Sequence, residues 1–189
     1  MSEPEAAEKE PVGAVWVTSQ PDDQGIYHIN LEVGSSPREE IPLDADSGIA
    51  WAQHVIAVVS AAEYEAAVLR QLSTVAGREA ALHVLAHLRS NRPASIPDDV
   101  VPALRLVPGV DQDDGLGFVL LEHRGATIGQ WYLDDARRHA TGVLESLAIV
   151  DLDTAYARYA VEEIGLSQRV AYTMVSELYA LRLEAVAAR

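Results

Sequence analysis

Residues 104–133, LRLVPGVDQDDGLGFVLLEHRGATIGQWYL, decide the fold of this chain. Three short runs rich in Leu, Val, Ile and aromatic residues are separated by a turn at 111–115 and a tight bend at Arg124-Gly125. Runs of this length, punctuated by Asp, Gly and Arg-Gly signals, read as an antiparallel meander. Residues 15–43 repeat the pattern. Val15 and Val17 precede a Pro-Asp-Asp-Gln-Gly turn at 21–25, Ile29, Leu31 and Val33 alternate with polar neighbours, and Ile41 and Leu43 supply a third strand. Pro42 places that third strand at an edge, because proline has no N–H for a ladder.

Helical periodicity follows each meander. After Asp44 or Asp46 as cap, Ala52, Val55, Ile56, Val59 and Ala62 form one apolar stripe, Gly77 interrupts, and Ala81, Val84, Leu85 and Leu88 form another. In the second half Ala136, Ala140, Val143, Leu144 and Leu147 follow Asp134 and Asp135. A further helix is expected from Asp151 or Asp153 to Ile164, and Ser167 caps a last helix burying Val170, Ala171, Met174, Val175, Leu178 and Leu181.

The expected fold is therefore α+β, with two repeat-like units, each a three-stranded antiparallel meander followed by packed helices. The anchors are His54 with His139, Arg70 with Arg158, Gly77 with Gly165 and Leu88 with Leu178. Residues 1–11, with four glutamates and no large apolar residue after Met1, read as a disordered acidic tail. Residues 12–92 form the first unit, 93–103 a Pro-rich connector, and 104–189 the second unit, ending in a long helix. Units of this size gain stability by sharing a core.

Composition narrows the chemistry. The 189-residue chain has no cysteine, which removes disulfides, thiolate metal sites and thiol nucleophiles. A formal charge of -15 opposes attraction to phosphates and suits a basic partner. No apolar run approaches the ~20 residues of a membrane span. The acidic start does not resemble a signal peptide, and abundant Ala, Val, Asp and Arg with scarce Lys suggest a bacterial protein; the expectation is a cytoplasmic setting without membrane contact. Phosphate loops, dinucleotide fingerprints and nucleophile elbows are missing, and the pairs Glu39-Glu40 and Glu162-Glu163 are adjacent, hence divergent. The expectation is a protein that is not an enzyme, with no catalytic residues, no cofactor and no metal.

Four constellations deserve weighing. Glu79, His83 and His87 share a helical face at metal-ligand spacing, the basis of a less favoured reading as a metal-dependent hydrolase; they lie opposite the apolar stripe, which suits a solvated face. His54 and His139 sit early in the two major helices, where they converge on one site or serve as boundary residues. Asp44-x-Asp46-x-Gly48 and Asp111-x-Asp113-x-Gly115 imitate calcium loops, but Val55 stands at the first loop's twelfth position and Gly115 falls one place early, so caps and turns explain both. Residues 157–178 imitate a helix-turn-helix, whose reading face would be Gln168, Arg169, Tyr172, Thr173 and Ser176. Its arginines are balanced by glutamates, against the basic face a DNA reader presents.

The last helix also carries Tyr172, Ser176, Tyr179 and Leu183 at spacings of four, three and four, off the main stripe. A second semi-apolar face needs a second neighbour: the rest of this chain, another copy in a homo-oligomer, or a different protein. Trp51, Trp131 and Tyr132 are further candidate anchors. The expected function is a non-enzymatic, acidic protein-interaction or regulatory module, self-associating as a homodimer or binding a basic partner. The alternative is a DNA-binding transcriptional regulator.

Overall fold

The computed structural model describes residues 15–34, 37–90, 101 and 103–187, the last five of these by backbone alone. The expected acidic tail and most of the Pro-rich connector lie outside the described residues. Strands β1 (Val15–Pro21), β2 (Tyr27–Val33) and β3 (Glu39–Leu43) form one antiparallel sheet in the order β1-β2-β3. Helices α1 (Ala45–Ala76) and α2 (Arg78–Ser90) follow, then a second antiparallel sheet of β4 (Leu104–Val110), β5 (Gly117–His123) and β6 (Ala126–Tyr132), then α3 (Leu133–Glu162) and α4 (Gln168–Ala187). The architecture is α+β, with sheet preceding helices in both halves.

Local chemistry explains the boundaries. In the first hairpin turn the Asp22 carboxylate accepts from the backbone N–H groups of Gln24 and Ile26, at 2.8 and 3.0 Å. Asp44 caps α1 through the Ser47 N–H at 2.8 Å, and Asp111 accepts from the Asp113 N–H in the β4–β5 turn at 2.6 Å. Both acidic pairs of calcium-like spacing thus begin with a carboxylate bonded to backbone. Pro42 does stand on an edge strand.

The helices cross between the halves. α1 packs on α3, on α2 and on β4 and β5, barely touching its own sheet at β3, while α3 lies on β1 and β2 and touches β5 and β6 less. α1 and α3 run antiparallel, with Gly48 against Leu147, Trp51 against His139, and Glu63 paired to Arg137. A Cβ at Gly48 would lie 2.6 Å from a Leu147 methyl, so a bare α-carbon permits the close approach. One apolar cluster draws Ile29, Leu31 and Val33 from the first sheet, Trp51, Val55 and Val58 from α1, Leu104, Val119 and Leu121 from the second sheet, and Ala140 and Val143 from α3. Val101, at the end of the expected connector, is also buried there. At one corner Glu39 of β3 binds Arg124 of the β5–β6 turn at 2.9 Å.

Two expectations fail. No helix starts at Asp151 or Asp153, because α3 is continuous from Leu133 to Glu162. Aspartate inside a helix costs only tenths of a kcal/mol, and Asp153 is engaged by an arginine instead of a helix terminus. Nor is every residue of the expected stripes buried: Ile56, Val84, Leu88, Leu144, Val170, Met174, Leu178 and Leu181 are exposed.

Candidate interaction surface

The α3–α4 hairpin is latched by a buried charge. Arg182 donates from Nη2 to both Asp153 carboxylate oxygens, at 2.9 and 2.8 Å, and the Asp153 side chain is 1% exposed. Asp153 and Arg182 lie far from the Ile164-Gly165-Leu166 turn on either side, so their contact requires the helices to run antiparallel in side-by-side packing. Ala157 and Val175 fill the seam below them, against Tyr27. A helix-turn-helix instead crosses its helices at about 90–120°. The first half has a related latch, Arg89 of α2 on the buried Glu65 of α1 at 2.7 Å.

One flank of the hairpin faces the first sheet. The Tyr27 N–H donates to Thr154 Oγ1 at 3.0 Å, and the Tyr27 ring meets that of Tyr172 edge-on at 6.1 Å. Burial, followed by the Asp153 charge and Tyr172, pushes the Tyr27 hydroxyl up to about 12. The Tyr172 hydroxyl reaches Gly25 so closely that a Cβ there would lie 2.6 Å from it, and φ of +80° at Gly25 also favours glycine. Tyr179 donates to the Val17 carbonyl at 3.2 Å and shares a 3.1 Å hydrogen bond with Ser146; burial raises its pKa above the ordinary tyrosine value. Tyr172 and Tyr179 therefore find their second neighbour within this chain. Ser176 is exposed, and the Leu183 side chain lies outside the described residues. Gln168, Arg169, Thr173 and Ser176 are exposed and line an open trough beside Tyr172.

Among the described residues, the opposite flank faces no other element. At ~100° per residue, Leu152, Tyr156 and Tyr159 point about 140–160° away from Thr154, and all three are exposed. By the same geometry Val170, Met174, Leu178 and Leu181 lie about 120–180° around α4 from Tyr172. Antiparallel packing brings these two outer flanks onto one side of the hairpin, where the seven side chains are between 43% and 60% exposed. The sequence reading assigned the four from α4 to the core. α4 carries two apolar stripes, and periodicity alone does not say which turns inward. The small Ala171 and Val175 take the seam, where the helices approach closely, and the larger side chains are left outside.

The histidines divide. His139 accepts a hydrogen bond at Nε2 from the indole N–H of Trp51 at 3.0 Å, which assigns its proton to Nδ1. Its ring also stacks, tilted, on Trp131 at 4.6 Å. Burial disfavours the imidazolium and pushes its pKa down to about 4. His54 is buried too, its ring 6.0 Å from the Trp51 indole, so both histidines lie beside one fully buried tryptophan. Trp51 is thus unavailable as a surface anchor; Trp131 is half-buried, and Tyr132 is exposed. Glu79, His83 and His87 are all exposed on α2, and no group of three metal-ligating side chains occurs among the described residues.

Comparison with family models, curated proteins and solved structures finds no match to this chain. No helix among the described residues is long and apolar enough to cross a membrane.

Proposed function

We propose that the protein is a non-enzymatic, acidic interaction or regulatory module whose docking element is the outer flank of the α3–α4 hairpin. The observation that supports it is the seven-residue apolar surface there. Seven large side chains, each exposed to about one half, amount to a surface on the order of several hundred Å². Monomers rarely expose contiguous apolar patches above a few hundred Å², and a standard interface buries about 800 Å² per partner. The partner is another protein or a second copy, in a cytoplasmic, bacterial setting suggested by composition.

The DNA-binding alternative gains less support. The antiparallel latch is a helical hairpin's geometry, and Tyr172, in the middle of the would-be reading face, is packed on Tyr27. The net charge of -15 adds to that argument.

We also propose that the chain arose by internal duplication. A shift of 88 residues carries Ala52 onto Ala140, Val55 onto Val143, Glu65 onto Asp153 and Leu69 onto Ala157, all buried. A shift of 90 carries Ala81 and Leu85 of α2 onto Ala171 and Val175 of α4, again all buried. On this register Trp51, not His54, corresponds to His139.

The test uses wild type and a Met174→Asp/Leu178→Asp variant as baits for capture from the native host. Both positions are exposed, so stability should change by about 0.5 kcal/mol or less per site. The expected outcome is a protein retained by wild type and lost by the variant. Identical captures on both baits, with light scattering showing the same mass for both, would refute the interaction reading. A mobility shift at low salt would revive the DNA alternative.

A further inference from the structure

Resting on that reading, we infer that the outer flank of the α3–α4 hairpin receives an amphipathic helix from a basic partner protein, its apolar stripe lying in the groove between the helices and its Lys and Arg residues meeting the glutamates of that flank. Two antiparallel helices with apolar side chains on the same flank leave a furrow along their seam, the arrangement that helix-in-groove recognition uses.

Charge selects among the occupants. Seven residues are two helical turns, so residues seven apart share a flank. Glu145 precedes Leu152 by seven and Glu163, the C-cap of α3, follows Tyr156 by seven, while Glu177 follows Val170 by seven and stands between this flank and the trough beside Tyr172; all three are exposed. The arginines of this region are turned elsewhere. Arg158 lines a small pocket against Gly25 and Tyr172, Arg169 borders the trough beside Tyr172, and Arg182 is bound to Asp153. Among the described residues the apolar strip is fringed by acid and not by base, which makes it complementary to an apolar strip fringed by base.

A second copy fits less well. Two-fold pairing of this face would set Glu163 and Glu177 of one molecule near those of another, between chains that each carry -15. The acidic residues 1–11, with one lysine among four glutamates and no apolar stripe, also lack the chemistry of the occupant.

The experiment uses the full chain and three synthetic peptides of about five helical turns. One has a leucine stripe flanked by lysine, one the same stripe flanked by glutamate, and one the first composition scrambled so that no stripe forms. Binding is read by fluorescence anisotropy at low and physiological salt, with light scattering in parallel. The lysine-flanked peptide is expected to bind at least about tenfold more tightly than either other peptide, one decade of affinity. Leu178→Asp should weaken it about tenfold. Glu163→Lys/Glu177→Lys should weaken it similarly while improving the glutamate-flanked peptide.

Equal binding of the scrambled peptide would reduce the effect to net charge and overturn the inference. Equal binding of the glutamate-flanked peptide would also overturn it, leaving the face as a docking surface without charge selection. Absence of peptide binding together with a dimer that Leu178→Asp dissociates would make the occupant a second copy, so the inference falls and the interaction reading stands. If no peptide binds, the protein is monomeric and the face variants behave as wild type in host capture, both fall.

Discussion

Replacing Arg182 with methionine tests what holds the displayed hairpin together. The guanidinium is the hydrogen-bond partner of both oxygens of a carboxylate that is 1% exposed. Removing one partner of a buried pair typically costs about 3–5 kcal/mol, because the remaining charge is left in a medium that solvates it poorly. Arg182 is itself 33% exposed, so water can follow the lost side chain toward Asp153. That places the cost near the lower end, about 3 kcal/mol. For a chain of this size each kcal/mol moves Tm by about 2–4 °C, so a fall of roughly 6–12 °C is expected. Far-UV circular dichroism during heating and urea titration measures it. Arg182→Lys should recover part of the loss, because it keeps the charge but not the rigid planar guanidinium that fixes Nη2 between the two oxygens. Asp153→Asn/Arg182→Met should recover more than half, since neither charge remains. A single variant that loses less than about 1 kcal/mol, or a double variant no better than the single, would refute the argument that an uncompensated buried carboxylate is the source of the effect.

Two further outcomes follow from the core. His139 titrates at about 4 in the folded chain against about 6.5 unfolded, so between these values the unfolded state binds a proton that the folded state refuses. Its contribution to stability is complete above pH 6.5 and is lost as pH falls toward 4, by about 3 kcal/mol; His139→Gln should flatten this part of the stability profile, and an unchanged slope would contradict the burial argument. Gly48→Val should cost about 1–3 kcal/mol by overpacking the α1–α3 crossing, where a Cβ meets the Leu147 methyl at 2.6 Å. Leu147→Ala in the same chain should restore part of the loss, read from urea midpoints, and no restoration would locate the strain elsewhere.

The strands were legible because their information is local. Alternation in 27–33, the Asp-Gly turns and Pro42 act within a few residues of where they stand, and the strand boundaries follow them closely. Gly77 and Gly165 also marked real breaks after the long helices. What could not be read was the pairing of helix faces. Asp153 looks like a cap in sequence because an aspartate's usual role at a helix start is local, whereas its actual partner is 29 positions away. Tyr172 and Tyr179 signal a second neighbour, but the neighbour is β1 and the β1–β2 turn, more than 140 residues earlier. His54 and His139 invited alignment by identity, whereas their common feature is proximity to Trp51.

The crossed packing also explains why apolar surface is left over on the hairpins. α1 is occupied by α3 and the second sheet, and α3 by α1 and the first sheet, so a three-stranded sheet already covered by a long helix has little width left for the helix that follows. α4 reaches the first sheet at β1 and at Tyr27, where β2 begins, and α2 packs on α1. Were exposed apolar side chains merely tolerated as a by-product of this geometry, both hairpins should show them alike. On the proposed duplication, the counterparts of Leu152, Met174 and Leu178 are Tyr64, Val84 and Leu88, which are also exposed. The counterpart of Tyr156 is the half-buried Val68, and those of Tyr159, Val170 and Leu181 are Gln71, Ala80 and Asn91. On that register three of the seven large apolar side chains have a small or polar counterpart in the first hairpin, and four have an apolar one. Packing against the sheets does not call for this difference, whereas the docking proposed for the second hairpin would favour it.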